Sequence, residues 1–327
     1  MEYTRLGTTD ITIPRLCIGG MSFGKVFPDF HQWVIDQEAT QAVIARALEL
    51  GVNFIDTANV YAHGTSEEFI GASLKNLGVK RENVVLASKV YFNEGHLSRA
   101  AIEREIDGTL ERLGTDYLDL YIIHRFDYAT PIEETMTALD QAVRSGRALY
   151  VGISSYSATR TKEAARIARE LGTPLLIHQP SYNMLNRWIE SDLIDACESE
   201  GMGIIAFTAL AQGLLTDRYL SGVPEDSRAA RGGSLTREQL SDDVLTHVRA
   251  LHEIARERGQ SLAQMALAWV LRDPRVTSTL IGVSSLRQLE SNLGALENMV
   301  FTDDELAAID EHAVESGINL WASQTED

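Results

Sequence analysis

Eight times along this chain a short, nearly unbroken apolar run alternates with a stretch whose apolar residues recur at helical spacing. The runs lie at 14–20, 53–57, 84–89, 118–123, 148–154, 175–180, 202–208 and 277–282. Continuous apolar runs, in contrast to alternating ones, read as strands covered on both faces, the mark of a parallel sheet flanked by helices. Eight units predict a closed (β/α)8 TIM barrel, because a doubly wound open sheet usually has fewer units and a glycine-rich first turn. The G-x-G-x-x-A match at Gly201 to Ala206 leads into a run instead of following one. A length of 327 residues with 44% hydrophobic content suits one barrel domain spanning 1–327.

Local signals sharpen this outline. Residues 3–13 alternate around Gly7 and Asp10 and predict an N-terminal β-hairpin. Capping boxes are expected at Thr65/Glu68, Thr130/Glu133, Thr236/Gln239, Ser261/Gln264 and Thr302/Glu305. Ile102, Ile106, Leu110 and Leu113 form one helical stripe and Ile132, Met136, Leu139 and Val143 another, closing on Gly114 and Gly146. The stretch Gly19 to Val26 nearly spells a phosphate-binding loop, but Val26 lacks the hydroxyl that would hold Mg²⁺ and Pro28 opposes an immediate helix. One connection is long, Ala211 to Thr236 after the seventh strand, and a loop of that length inside a barrel is expected to be functional.

Charge excludes several partners. A net charge of −18, from 29 basic and 47 acidic residues, argues against nucleic acid and against anionic membrane surfaces. The N-terminus has no basic region followed by an apolar one, and no run of eighteen apolar residues occurs, so a cytoplasmic protein is expected. Cys17 and Cys197 lie far apart in apolar surroundings and read as buried thiols. The eight histidines include no H-x-x-x-H and no His/Cys cluster, so no metal site is expected.

Three consecutive runs each deliver an ionisable group at or just past the carboxyl end: Asp56, Lys89 and His124, with Tyr61 five residues beyond Asp56. That end of a barrel carries the chemistry. A phenol exchanges its proton poorly near neutrality, and an adjacent ammonium is expected to lower its pKa. Lys89 is placed to supply that ammonium, Asp56 to be its counter-ion, and His124 to orient a carbonyl oxygen. Each residue alone has a structural explanation; together they describe a proton-donating site for carbonyl reduction.

The order Asp56, Tyr61, Lys89, His124, carried by FIDTANVYAHGTSE, ASKV and YIIHR, resembles the aldo-keto reductases over nearly the whole chain. The resemblance implies a nicotinamide cofactor extended across the strand ends, Tyr61 as general acid, and hydride transfer to a carbonyl carbon. ALYVGISSYS, PLLIHQPSYNMLNRW, AFTALAQGLLTDRYLSGVPEDSR and GQSLAQMALAWVLRDPRVTS are similar to the bacterial L-glyceraldehyde 3-phosphate reductases, kin of the voltage-gated potassium channel beta subunits. TANVYAHGTSEE lacks that subgroup's proline-bearing insertion, and Met21 stands where an aromatic residue is expected, both in loops that line the substrate pocket.

Carried over residue by residue, the resemblance assigns Ser154, Ser155 and Gln179 to the carboxamide, Phe207 to the face of the nicotinamide, and Leu210, Gln212 and Gly213 to the pyrophosphate. Gly20, Met21, Asp56 and Gly282 line the same trough. Arg218, Arg228, Ser284, Gln288, Ser291 and Asn292 hold the adenosine end, where Ser284 precedes a helix whose free amides suit a phosphate. Trp33 and Tyr91 join Tyr61 and His124 around the substrate. With Arg287, the arginines favour NADPH over NADH. The expectation is an NADPH-dependent reductase of small aldehydes or ketones, with L-glyceraldehyde 3-phosphate and methylglyoxal as candidate substrates and room for a homo-oligomer. Its rival is a regulatory nicotinamide-binding module, whose mark would be a long N-terminal extension; only a few residues precede the hairpin.

Overall fold

The computed structural model describes residues 1–220, 222, 235 and 239–319. Strands β1 (Tyr3–Arg5) and β2 (Thr12–Pro14) pair antiparallel as the expected hairpin. Eight parallel strands follow: β3 (Leu16–Gly19), β4 (Phe54–Asp56), β5 (Val85–Val90), β6 (Leu118–Ile123), β7 (Ala148–Ser154), β8 (Ile177–Gln179), β9 (Gly203–Ala206) and β10 (Val276–Gly282). Each pairs with the next, and β10 pairs with both β9 and β3, which closes the barrel. Every predicted run contains or overlaps its strand.

The barrel interior is apolar at its amino end. Phe54, Val85, Ala87, Leu120 and Ile205 form one buried cluster, and Leu6 and Ile13 of the hairpin region join it from below. Arg15 fastens this plug: its guanidinium donates to the carbonyls of Val276 (2.9 Å), Thr277 (3.1 Å) and Leu271 (2.7 Å). A second, larger core lies between strands and helices. Ile102, Ile106 and Leu113 are buried in helix Arg99–Leu113, and Met136 and Leu139 in helix Ile132–Arg144, with Leu110, Ile132 and Val143 packed against that core.

Cap chemistry followed the sequence in part. Ser261/Gln264 and Thr302/Glu305 form capping boxes. Thr65 does not cap: Gly64, at φ +88°, is the N-cap of helix Thr65–Asn76, and the Thr65 hydroxyl turns back to the Ala62 carbonyl at 2.7 Å. Thr130 instead donates to Asp127 Oδ2 at 2.6 Å, and Pro131 precedes its helix. Both expectations fail because a neighbouring turn competes for the hydroxyl. Thr236 lies outside the described residues. Of the long connection after β9, the first part forms two short 3₁₀ turns, Ala211–Gly213 and Asp217–Tyr219. Cys17 and Cys197 are both buried and unbridged. Among the described residues no helix is long and apolar enough to cross a membrane.

Candidate active site

At the carboxyl end of β4, β5 and β6 the barrel holds charge where its amino end holds hydrocarbon. Register puts Asp56 opposite Ala87 and Lys89 opposite Ile122, so both side chains enter the same space. Each is only 1% exposed. The Lys89 ammonium donates to Asp56 Oδ1, to the Thr57 carbonyl at 2.8 Å, and to the Tyr61 hydroxyl at 3.4 Å. Asp56 Oδ2 accepts from the Gln179 side-chain amide at 3.0 Å, which ties the site across the barrel to β8. His124 closes the group: its ring meets the Tyr61 ring edge-on at 5.7 Å. Asp56, Tyr61, Lys89 and His124 are therefore brought together.

Electrostatics give each group a state. Burial works against the Lys89 ammonium, but Asp56 and then Tyr61 more than offset it, so its pKa is raised and it stays charged. Burial raises the Asp56 carboxyl, opposed by Lys89 and Gln179, which both donate to it. Burial, with the nearby charges of Lys89 and Arg125, pushes His124 well below its ordinary value, so the imidazole is neutral near pH 7. Among the described residues its buried Nδ1 has no hydrogen-bond partner. Tyr61 corrects the sequence expectation. Burial lifts its pKa above the usual value of about 10, and Lys89 reduces that rise without reversing it. The phenol therefore holds its proton until a base forms beside it.

The turn that presents Tyr61 is strained. Ala62 (φ 47°) and His63 (φ 53°) are left-handed without being glycine, and Gly64 (φ +88°) completes the run. Such conformations cost on the order of 1–3 kcal/mol each and persist only where surroundings enforce them. Gly64 is doubly required, since a Cβ there would lie 2.9 Å from the Arg112 side chain. Behind the site, fully buried Glu67 accepts from Ser88 Oγ at 2.5 Å and from Arg112 Nε at 2.6 Å. This joins the helix after Tyr61 to the residue before Lys89.

The remaining sequence candidates spread along the strand ends from this cluster. Ser154 ends β7 and Ser155 follows it, both buried; the Ser154 hydroxyl donates to the Gln179 carbonyl at 2.7 Å, and Ser155 is left-handed at φ 57°. Gly20 is buried beneath Ser66, whose hydroxyl donates to its carbonyl at 2.7 Å. Met21 is half-buried in the adjoining turn and Gly282 is exposed at the end of β10. Phe207 is half-buried, held by Pro180 and Tyr182 through its backbone. Gln212 (φ 59°) and Gly213 (φ 99°) follow Leu210 in a left-handed turn. Ser284 and Gln288 bond each other, and with Arg287 and Ser291 they are exposed, whereas Asn292 is buried. The N-cap of that helix, Leu286–Leu293, is Ser285 and not Ser284. Arg218 is exposed on its 3₁₀ turn; Arg228 lies outside the described residues.

These groups fit a nicotinamide dinucleotide. The Ser154 hydroxyl, having given its proton to Gln179, keeps lone pairs for an amide N–H, and the exposed hydroxyls, amide and guanidiniums at the far edge suit a phosphorylated ribose. Beside His124 the structure places an aromatic ring that the sequence reading did not name. Tyr91 stacks on His96 at 5.0 Å, and it is Phe92 that meets His124 edge-on at 5.1 Å, with the Arg125 guanidinium 4.8 Å above the Phe92 ring. Trp33 stacks on His31 at 4.7 Å in the loop after β3. No group of three or more His, Cys, Asp or Glu among the described residues is placed to hold a metal ion. Two surface depressions, one walled by Tyr3, Leu48 and Lys80 and the other by Arg5, Thr8 and Arg275, include none of the Lys89 cluster in their walls.

Comparison with known proteins finds relatives along nearly the whole chain. The model of the aldo/keto reductase family matches residues 15–314. The L-glyceraldehyde 3-phosphate reductase of Escherichia coli (strain K12) is 43% identical, over all of this chain and 96% of its own length. A probable voltage-gated potassium channel subunit beta from Oryza sativa subsp. japonica is 34% identical over 97% of each chain. Another, from Arabidopsis thaliana, is also 34% identical, over 91% of this chain and 92% of its own.

Proposed function

The chain belongs to the aldo/keto reductase family, and we propose that it is an NADPH-dependent reductase of small aldehydes and ketones, acting in the cytoplasm as a single catalytic domain. The observation that carries this reading is the buried Lys89 ammonium, bonded at once to Asp56 and to the Tyr61 hydroxyl. Tyr61 is the general acid. Its raised pKa keeps it protonated near neutrality, and it surrenders its proton only when the carbonyl oxygen gains charge. The charged Lys89 then stabilises the tyrosinate left behind, and Asp56 keeps that ammonium in place. Neutral His124 orients the carbonyl oxygen toward Tyr61 by hydrogen bonding. When bound, the nicotinamide supplies the hydride that adds to the carbonyl carbon. Ser154, Ser155 and Gln179 would hold its carboxamide and Phe207 its face; Leu210, Gln212, Gly213 and Gly282 would follow the dinucleotide outward. Arg218, Arg228 and Arg287 would meet the 2′-phosphate, with Ser284, Gln288, Ser291 and Asn292 on the adenosine.

L-glyceraldehyde 3-phosphate and methylglyoxal are the first substrates to try, the former because the similar Escherichia coli protein carries that substrate in its name. The experiment follows NADPH absorbance on mixing purified protein with each aldehyde. Steady turnover supports the reductase. Tight NADPH binding with no turnover across a panel of phosphorylated and unphosphorylated aldehydes would favour a regulatory nicotinamide-binding module, the class suggested by the channel-subunit similarity.

A further inference from the structure

The left-handed turn that carries Tyr61 is gripped from outside by the loop after β3, and the grip centres on His63. Its Nε2 lies 3.2 Å from Asp29 Oδ1. The Phe27 ring packs edge-on against the imidazole at 4.7 Å, and Phe30 lies at 6.0 Å. Two further contacts join the same partners: a Cβ at Gly24 would come within 2.5 Å of the Ala62 Cβ, and the Lys25 N–H donates to Thr65 Oγ1 at 2.9 Å. A hydrogen bond from His63 also holds the Asp29 carboxyl below its ordinary value. Ala62 and His63 hold positive φ without being glycine, so the turn needs an external restraint; outside the catalytic group the Thr65 hydroxyl supplies one through the Ala62 carbonyl and the Lys25 N–H, and the His63 imidazole supplies another through Asp29 and Phe27.

We propose that His63 is a positioning residue: docked between Asp29 and Phe27, it holds the strained turn so that the Tyr61 hydroxyl stays within reach of Lys89. The inference rests on the reductase reading for its kinetic test but not for its structural one. Loss of the latch lets the turn relax, and the proton donor moves relative to both Lys89 and the carbonyl oxygen. The conformation of the loop after β3 is thereby coupled to the placement of the acid.

The test measures kcat, KM for NADPH and Tm in His63→Ala, His63→Gly, Asp29→Ala and the double variant His63→Ala/Asp29→Ala, with NADPH and methylglyoxal. His63→Ala should lower kcat roughly 10- to 100-fold, as misplacing a reacting group by about 1 Å does, with KM for NADPH unchanged. His63→Gly, which relieves the left-handed strain but removes the ring, should fall as far. The double variant should be no worse than His63→Ala, because both changes break one contact. At least half of wild-type kcat in His63→Ala would overturn the proposal, as would wild-type kcat in His63→Gly. If the wild type itself turns over no carbonyl, the reductase reading fails first, and crystal structures then decide. The proposal requires the Tyr61 hydroxyl to Lys89 separation to widen from 3.4 Å in His63→Ala; an unchanged separation overturns it.

Discussion

The two ends of this barrel solve opposite problems. At the amino end Leu6 and Ile13 complete a hydrocarbon plug with Phe54 and Val85, and Arg15 donates to the backbone carbonyls of Val276 and Leu271. At the carboxyl end Asp56, Lys89 and Glu67 are as deeply buried as any leucine, and each has a charged partner. Buried charge adds little net stability even when paired, whereas buried hydrocarbon contributes about 25 cal/mol per Å². One end therefore stabilises the fold, and the other holds groups whose protonation states the fold has to enforce.

That contrast can be attacked from both ends. The largest effect is expected for Lys89→Met, which removes the ammonium and leaves Asp56 buried without its counter-ion, held by the Gln179 amide. Turnover should fall by at least about 10²–10⁴-fold and stability by about 3–5 kcal/mol, read from steady-state kinetics and urea denaturation. Adding Asp56→Asn should recover stability but not activity; recovery of both would mean the pair is not catalytic. At the other end, Leu6→Ala should cost about 2–5 kcal/mol of stability while kcat per folded molecule is unchanged. A fall in kcat there would erase the division between the ends.

Acid should act on the carboxyl half of the strands. His178, on β8 beside Gln179, is fully buried, accepts from the Tyr156 N–H at 3.2 Å, and has its pKa pushed down to about 3 by burial. Its folded pKa is depressed, so the neutral ring contributes stability present above the unfolded value of about 6.5 and lost as pH falls toward the folded value. His124 acts in the same direction. Each pH unit in that window removes up to about 1.4 kcal/mol per histidine. Tm measured from pH 7 to 4 should decline, and His178→Gln, which keeps an acceptor but does not titrate, should flatten the decline. The smallest effect concerns cofactor choice: Arg218→Ala should cost NADPH about 1.5–3 kcal/mol in kcat/KM and leave NADH nearly unaffected. Equal wild-type efficiencies with the two cofactors would remove the preference itself.

The barrel and the meeting of Asp56, Lys89 and His124 at its carboxyl end were legible in the sequence for the same reason. Strands buried on both faces write unbroken apolar runs, and a Lys, Asp or His closing such a run has few places to point except into the site. What escaped depends on turns. Tyr91 and Phe92 both follow β5, and only the turn's geometry decides that Phe92 faces His124. Thr65 looked like a cap, but the left-handed Gly64 took that position. The direction of the Tyr61 shift was misjudged because a sequence reveals the neighbouring ammonium but not the depth of burial that outweighs it. The left-handed residues Ala62 and His63 carry no composition signal, since alanine rarely adopts that conformation.

The claim that the carboxyl end is a proton-donating site for carbonyl reduction is tested most directly by Tyr61→Phe, with turnover, NADPH affinity and Tm measured on one preparation. Removing a single hydroxyl takes away the proton while leaving Lys89 paired with Asp56 and leaving the residues proposed to hold the cofactor unchanged. The account predicts turnover lowered by about 10²–10⁴-fold, with NADPH affinity and Tm held near wild type. Turnover of at least half the wild-type value in that variant would contradict it.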